Sequence, residues 1–148
     1  MDFNSLTEGI RLSLAPVFML TAVAGMIGAL AHRLSRIIDR ARAIEDRLFE
    51  GETLRADSYH AELLILKKRG NIVNVSIALL TVCAMLVGLT IVELFVGEIS
   101  KFHLANVLLF SFLGGLGCFF LALACFLVEV TWATHALRFG IERTVGKK

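Results

Sequence analysis

The sequence predicts an all-α membrane protein: three transmembrane helices, with a cytoplasmic antiparallel helical hairpin between the first and the second. Three observations predict it. Of the 148 residues, 57% are hydrophobic and the mean hydropathy is +0.76, too apolar for a small soluble domain that must present a polar shell. Leu12 to Ala31, Ile72 to Val96 and Leu104 to Val128 each reach the roughly 20 apolar residues that a helix needs to cross a hydrocarbon core. The segment between the first two is strongly charged yet keeps its apolar residues at helical spacing.

Taken in order, residues 3–14 place Phe3, Leu6, Ile10 and Leu14 at helical spacing with Asn4, Glu8 and Arg11 between them, the pattern of an interfacial amphipathic helix. Pro16 suits the first turn of a new helix, where its missing N–H is not needed. The first span is therefore expected within 15–49, running on into the first hairpin arm. Leu30, Leu34, Ile37, Ala41, Ile44 and Leu48 recur at alternating steps of four and three, a heptad-type seam. Gly51 supplies a stop, and a second arm over 54–69 carries Leu63, Leu64 and Leu66. The second span is placed at 72–96, followed by a tight turn from Val96 to Lys101. The third, 104–139, contains Ser111, Gly114, Gly115, Gly117 and Cys118, small residues that let helices approach closely in lipid, and passes Trp132, an interfacial anchor. The whole, 1–148, reads as one membrane domain.

Charge sets the expected orientation. Nine basic residues lie between Arg33 and Arg69 and four more from Arg138 onward, leaving only Arg11 and Lys101 elsewhere. Because Lys and Arg beside spans are retained in the cytoplasm, the N-terminus and the 97–103 loop are expected outside, the 32–71 segment and the C-terminus inside. Ala29-Leu30-Ala31 is similar to a signal-peptide cleavage site, but Asp2 and Glu8 against a single Arg before the span, and the length of the apolar run, favour an uncleaved helix.

No G-x-S-x-G, H-E-x-x-H, Walker-type loop or spaced Cys/His cluster occurs, so no catalytic residue and no cofactor is expected and the chain is not read as an enzyme. Cys83, Cys118 and Cys125 fall within spans as small packing residues. A metal site from Cys125, Glu129 and His135 would need ligands six residues apart on one helix to converge, so no metal is expected either. The aromatic residues are mostly Phe within spans and offer no platform for nucleic acid.

Two features bear on function. On the first helix Thr21, Gly25, Gly28, His32, Ser35, Asp39 and Arg42 form a second stripe, small in the membrane and polar beyond it. Either it seats neighbouring spans, or several copies bring it together around a water-filled path whose inner mouth is ringed by His32, Ser35, Asp39 and Arg36. Three spans enclose too little volume for a path within one copy, so the second reading requires a homo-oligomer. On the third helix Glu129 ends a stripe of small residues near the cytoplasmic boundary, within reach of Arg33 or His32. An ion pair there acts as a structural lock, or Glu129 handles protons with His32 or His135. The arginine collar of the first helix also suits anionic lipid headgroups.

The run SLAPVFMLTAVAGMIGALAHRLSRIIDRARAIEDRL, the segment ELLILKKRGNIVNVSIALLT and the closing FLVEVTWATHALRFGIE together resemble a family of small bacterial membrane proteins, domain of unknown function 2721. Ala15 stands where the family pattern has Ser, and His32 where it has Asn. The resemblance implies bacterial origin, the inner membrane and three spans; it supplies no activity. The layout alone is also similar to that of the membrane insertase superfamily, which uses a hydrophilic groove with a positive charge. The expected function is thus a homo-oligomeric, channel-like assembly lined by the first helix. Alternatives are an insertase-like assembly factor and a structural or regulatory subunit acting on a protein partner through residues 43–65.

Overall fold

The structure, a computed structural model, describes residues 3–49, 56–100 and 105–145, with side chains described chiefly within 13–49, 58–96 and 106–132. Each described segment is a single helix: α1 is Phe3–Phe49, α2 is Ala56–Ser100 and α3 is Ala105–Val145. All three are long and apolar enough to cross a membrane, and among the described residues there is no strand. The expected stop at Gly51, the start of the second arm at 54–55 and Lys101 lie outside the described residues, as do the side chains of Phe3, Leu6, Glu8 and His135.

The expected boundaries differ from the observed ones in one direction: helices continue where breaks were placed. An interfacial helix over 3–14 and a span from 15 are one helix, with Pro16 inside it. Pro16 is buried in the packing seam, and a spanning helix tolerates the missing hydrogen bond when neighbours hold it. The second arm and second span are likewise one helix through Gly70 and Asn71, which runs past Val96 to Ser100. A Cβ at Gly70 would stand 3.7 Å from Ile37 Cγ2 and 3.8 Å from Leu34 Cδ1, ordinary packing distances, so α1 supports α2 at its apparent weak point.

Helix α2 is the middle element, packed against α1 on one side and α3 on the other. The buried positions explain how. In α1 they are Ser13 and then Pro16, Val23, Leu30, Ile37 and Ile44, the last five one every seven residues. Along α2 two such series run side by side: Leu66, Val73, Leu80 and Val87, and three residues on, Ser76, Cys83 and Thr90. In α3 the series is Gly115, Ala122 and Glu129. A sustained seven-residue repeat on a helix of 3.6 residues per turn is the signature of left-handed supercoiling. Glycine gives the closest approach at one of these positions, because a Cβ on Gly115 would stand 3.0 Å from Val87 Cγ2, so that Val87 would have to shift by a few tenths of an ångström.

Candidate functional site at the basic end of the bundle

Where α1, α2 and α3 pass one another near residues 33, 69 and 129, an acidic side chain is enclosed by two arginines. Glu129 is completely buried. Arg69 donates to its Oε1 from Nη2 at 2.8 Å and from Nε at 3.3 Å. Arg33 brings Nη2 to 2.7 Å from Oε2. That second contact neutralises charge without an aligned hydrogen bond, so Oε2 lacks a well-directed donor. One residue from each helix therefore meets at one point, and the triad carries a net single positive charge.

Aromatic rings brace the same level. The Arg33 guanidinium lies 5.2 Å from the ring centroid of Phe126, and Lys68 Nζ lies 4.5 Å from that of Trp132. Cations attracted to ring faces are fixed in orientation, which matters where a long side chain must reach a buried carboxylate. Beyond the triad, Arg40 closes the α1–α2 pair by donating to Glu62 Oε1 from Nη2 at 2.8 Å and from Nε at 3.0 Å. Between these two contacts a cleft of about 530 Å³ opens, walled by Arg33, Arg36, Arg40 and Arg69 over a floor of Ile37 and Leu66, with Glu129 at one end.

A second polar cluster joins α2 to α3 at the other end of the bundle. Ser111 donates to Glu93 Oε2 at 2.6 Å and lies 3.1 Å from Thr90 Oγ1, all three side chains being buried. Between the clusters the interface is uncharged: Ser76, Cys83 and Val87 of α2 and Ala122 of α3, with the Ser76 hydroxyl donated to the Ile72 carbonyl at 3.0 Å.

The stripe of α1 faces away from both neighbours. Thr21, Gly25, Gly28, His32, Ser35 and Asp39 are all exposed, and a Cβ added to Gly25 or Gly28 would meet nothing within 4 Å. Thr21 returns its hydroxyl to the Val17 carbonyl at 3.2 Å, and Ser35 donates to Asp39 Oδ2 at 3.4 Å. Arg36 and Arg42 are exposed as well. Of the residues expected around Glu129, Arg33 is in contact with it, while His32 points outward one position away.

Arg69, Thr90, Glu93 and Ser111 are members of these clusters that inspection of single segments missed. The signal for them is the reflection of one helix on the next. The antiparallel register that sets Arg40 against Glu62 sets 33 opposite 69, and the register of α2 against α3 sets 111 between Thr90 and Glu93.

A model of the family described as Protein of unknown function (DUF2721) matches residues 13–139. The chain belongs to this family. The DUF2721 match takes in all three apolar helices, both polar clusters and the arginine cleft, so these features lie inside the family domain. Neither the curated proteins nor the solved structures contain a match to the chain.

Proposed function

We propose that the chain is the protomer of a homo-oligomeric, channel-like assembly in a bacterial inner membrane, its basic end in the cytoplasm and the outward stripe of α1 at the contact between copies. One observation carries this reading: Gly25 and Gly28 face open space, in line with exposed His32, Ser35 and Asp39. A glycine inside a helix costs about 1 kcal/mol relative to alanine. Within one chain Gly115 repays that cost by admitting Val87, but nothing in the chain needs Gly25 or Gly28 to be small. A second helix approaching α1 does. Gly88 and Gly117 also face open space; Gly88 is flanked by Met85 and Val92, and the row of Gly114 and Gly117 runs on through Leu121 and Val128 and not into polar residues as the α1 row does.

Support for the conducting reading comes from the exposed polar run His32, Ser35 and Asp39 on α1 beside a filled interior. Leu30, Val73 and Leu80 are buried between α1 and α2, so a path for ions has to run between copies. The same filling speaks against an insertase-like groove, since the arginine cleft includes no residue deeper in the span than Arg33 on α1. The subunit reading through residues 43–65 has no distinguishing feature among the described residues.

The test is stoichiometry and flux together. In nanodiscs the protein is expected as a ring of several copies, and in liposomes as an ion conductance altered by Asp39→Ala and His32→Ala. Gly25→Leu with Gly28→Leu is expected to dissociate the ring and abolish the flux. A strict monomer without flux overturns the proposal.

A further inference from the structure

The arginine cleft holds more positive charge than the protein itself neutralises. Arg33, Arg36, Arg40 and Arg69 wall it, and two carboxylates answer them: Glu129 is engaged by Arg33 and Arg69, Glu62 by Arg40. Arg36 makes no ion pair among the described residues, although it lies between Arg33 and Arg40 on the same face of α1. Each guanidinium carries five N–H donors, and Glu129 takes up one nitrogen of Arg33 and two of Arg69. Two positive charges are thus left over in a cleft of about 530 Å³, a size that suits a small organic ligand.

Depth identifies the ligand. Along α3, 18 residues separate Ser111 from Glu129, about 27 Å at 1.5 Å per residue, close to the roughly 30 Å of a hydrocarbon core. The Lys68–Trp132 pair, a cation and an interfacial aromatic, marks the same level as Glu129. The cleft therefore opens at the depth of lipid phosphates. Its floor, Ile37 and Leu66, is apolar and lies level with Arg36, so it shields a bound anion from water on one side.

We propose that this cleft binds the phosphodiester of an anionic phospholipid, with Arg36 as the principal ligand and Arg40 beside it. The Glu129 carboxylate repels an anion at the inner end, and Arg33 and Arg69 stand between the two charges. The phosphate consequently sits toward the outer half. Guanidinium groups form paired hydrogen bonds with phosphate oxygens, which separates this site from the diffuse attraction of basic residues to an anionic surface. The site is complete within one chain and does not depend on self-association.

The experiment measures retention of phosphatidylglycerol by native mass spectrometry of the full-length protein, against phosphatidylcholine and against inorganic phosphate. Arg36→Gln is the informative variant because it breaks no ion pair of the fold, and Arg42→Gln, an exposed arginine on the outward stripe, is its control. Arg36→Gln is expected to weaken phosphatidylglycerol binding by at least about tenfold, the loss of hydrogen bonds to a charged group. Arg42→Gln is expected to weaken it by at most about fivefold, the contribution of one basic residue near a charged surface. Arg36→Lys should restore part of the loss. Equal effects of the two glutamine variants, or equal retention of phosphatidylcholine, overturn the site. Binding of inorganic phosphate at the same concentration, abolished by Arg36→Gln, replaces the lipid with a soluble phosphate and overturns the assignment to lipid.

Discussion

At the scale of residues, Glu129 decides the energetics of the basic end. A carboxylate removed from water costs several kcal/mol, and only close cations with good geometry offset it. Arg69 supplies the geometry, with two nitrogens on one oxygen, whereas Arg33 supplies charge without an aligned hydrogen bond. Arg69→Ala is therefore expected to cost about 3–5 kcal/mol, because it strands a buried charge, and Arg33→Ala less. Replacing the triad as a unit, by Arg33→Met with Glu129→Leu and Arg69→Met, is expected to leave the protein more stable than Arg69→Ala alone. Thermal unfolding in detergent, followed by the emission of the single Trp132 beside Lys68, reads both. A triple variant no more stable than Arg69→Ala would refute the desolvation argument. How far this site was legible in sequence is instructive. Glu129 stood out as a charge ending a stripe of small residues, and Arg33 as its neighbour across the boundary. Arg69 did not, since Lys67, Lys68 and Arg69 look alike in a list, and only the register of the hairpin singles out the third.

At the scale of elements, one seam runs through two solvents. The series Val23, Leu30, Ile37 and Ile44 keeps its seven-residue step from the apolar span into the charged arm, yet what burial is worth changes along it. Inside the bilayer lipid tails are as apolar as leucine, so a seam residue there contributes packing alone. Ile44 lies 11 residues beyond Arg33, about 16 Å farther along the helix, where water restores the hydrophobic term. Ile44→Ala is expected to cost about 2–5 kcal/mol, and Leu80→Ala, equally buried within the span, less. Equal losses of thermal stability would show that the arm is not in water. Glycines make the second contrast. Gly115→Val drives a branched side chain against Val87 and should lower the unfolding midpoint by many degrees, while Gly117→Val, with nothing within 4 Å, should leave it nearly unchanged. The seams were legible because periodicity survives in any sequence. The break expected at residues 14–15 is absent because a local breaker's cost is small beside the packing of a helix of 47 residues, and the weak separation at Gly70 and Asn71 is continuous helix for the same reason.

At the scale of the whole molecule, two buried polar clusters stand about 27 Å apart along α3, with an uncharged interface between them. They define the slab that the bundle occupies, since hydrogen-bonded carboxylates are tolerated at the edges of a bilayer and costly at its centre. The slab leaves orientation open, and the two ends differ in charge: the Glu129 end continues into an arm holding Arg36, Arg40, Arg42 and Arg47, whereas α3 enters the slab at the other end through uncharged Asn106 and Val107. The proposed orientation, with the basic end in the cytoplasm, rests on the bias of Lys and Arg toward that side. Single cysteines introduced by Glu45→Cys and Asn106→Cys, both exposed positions, in a chain whose Cys83, Cys118 and Cys125 are replaced by alanine, test this directly. In intact cells a membrane-impermeant maleimide is expected to label the residue-106 thiol and spare the one at 45; in inverted vesicles the pattern should reverse. Labelling of residue 45 from outside would place the arginine cleft in the outer leaflet, and the lipid it holds would be drawn from there.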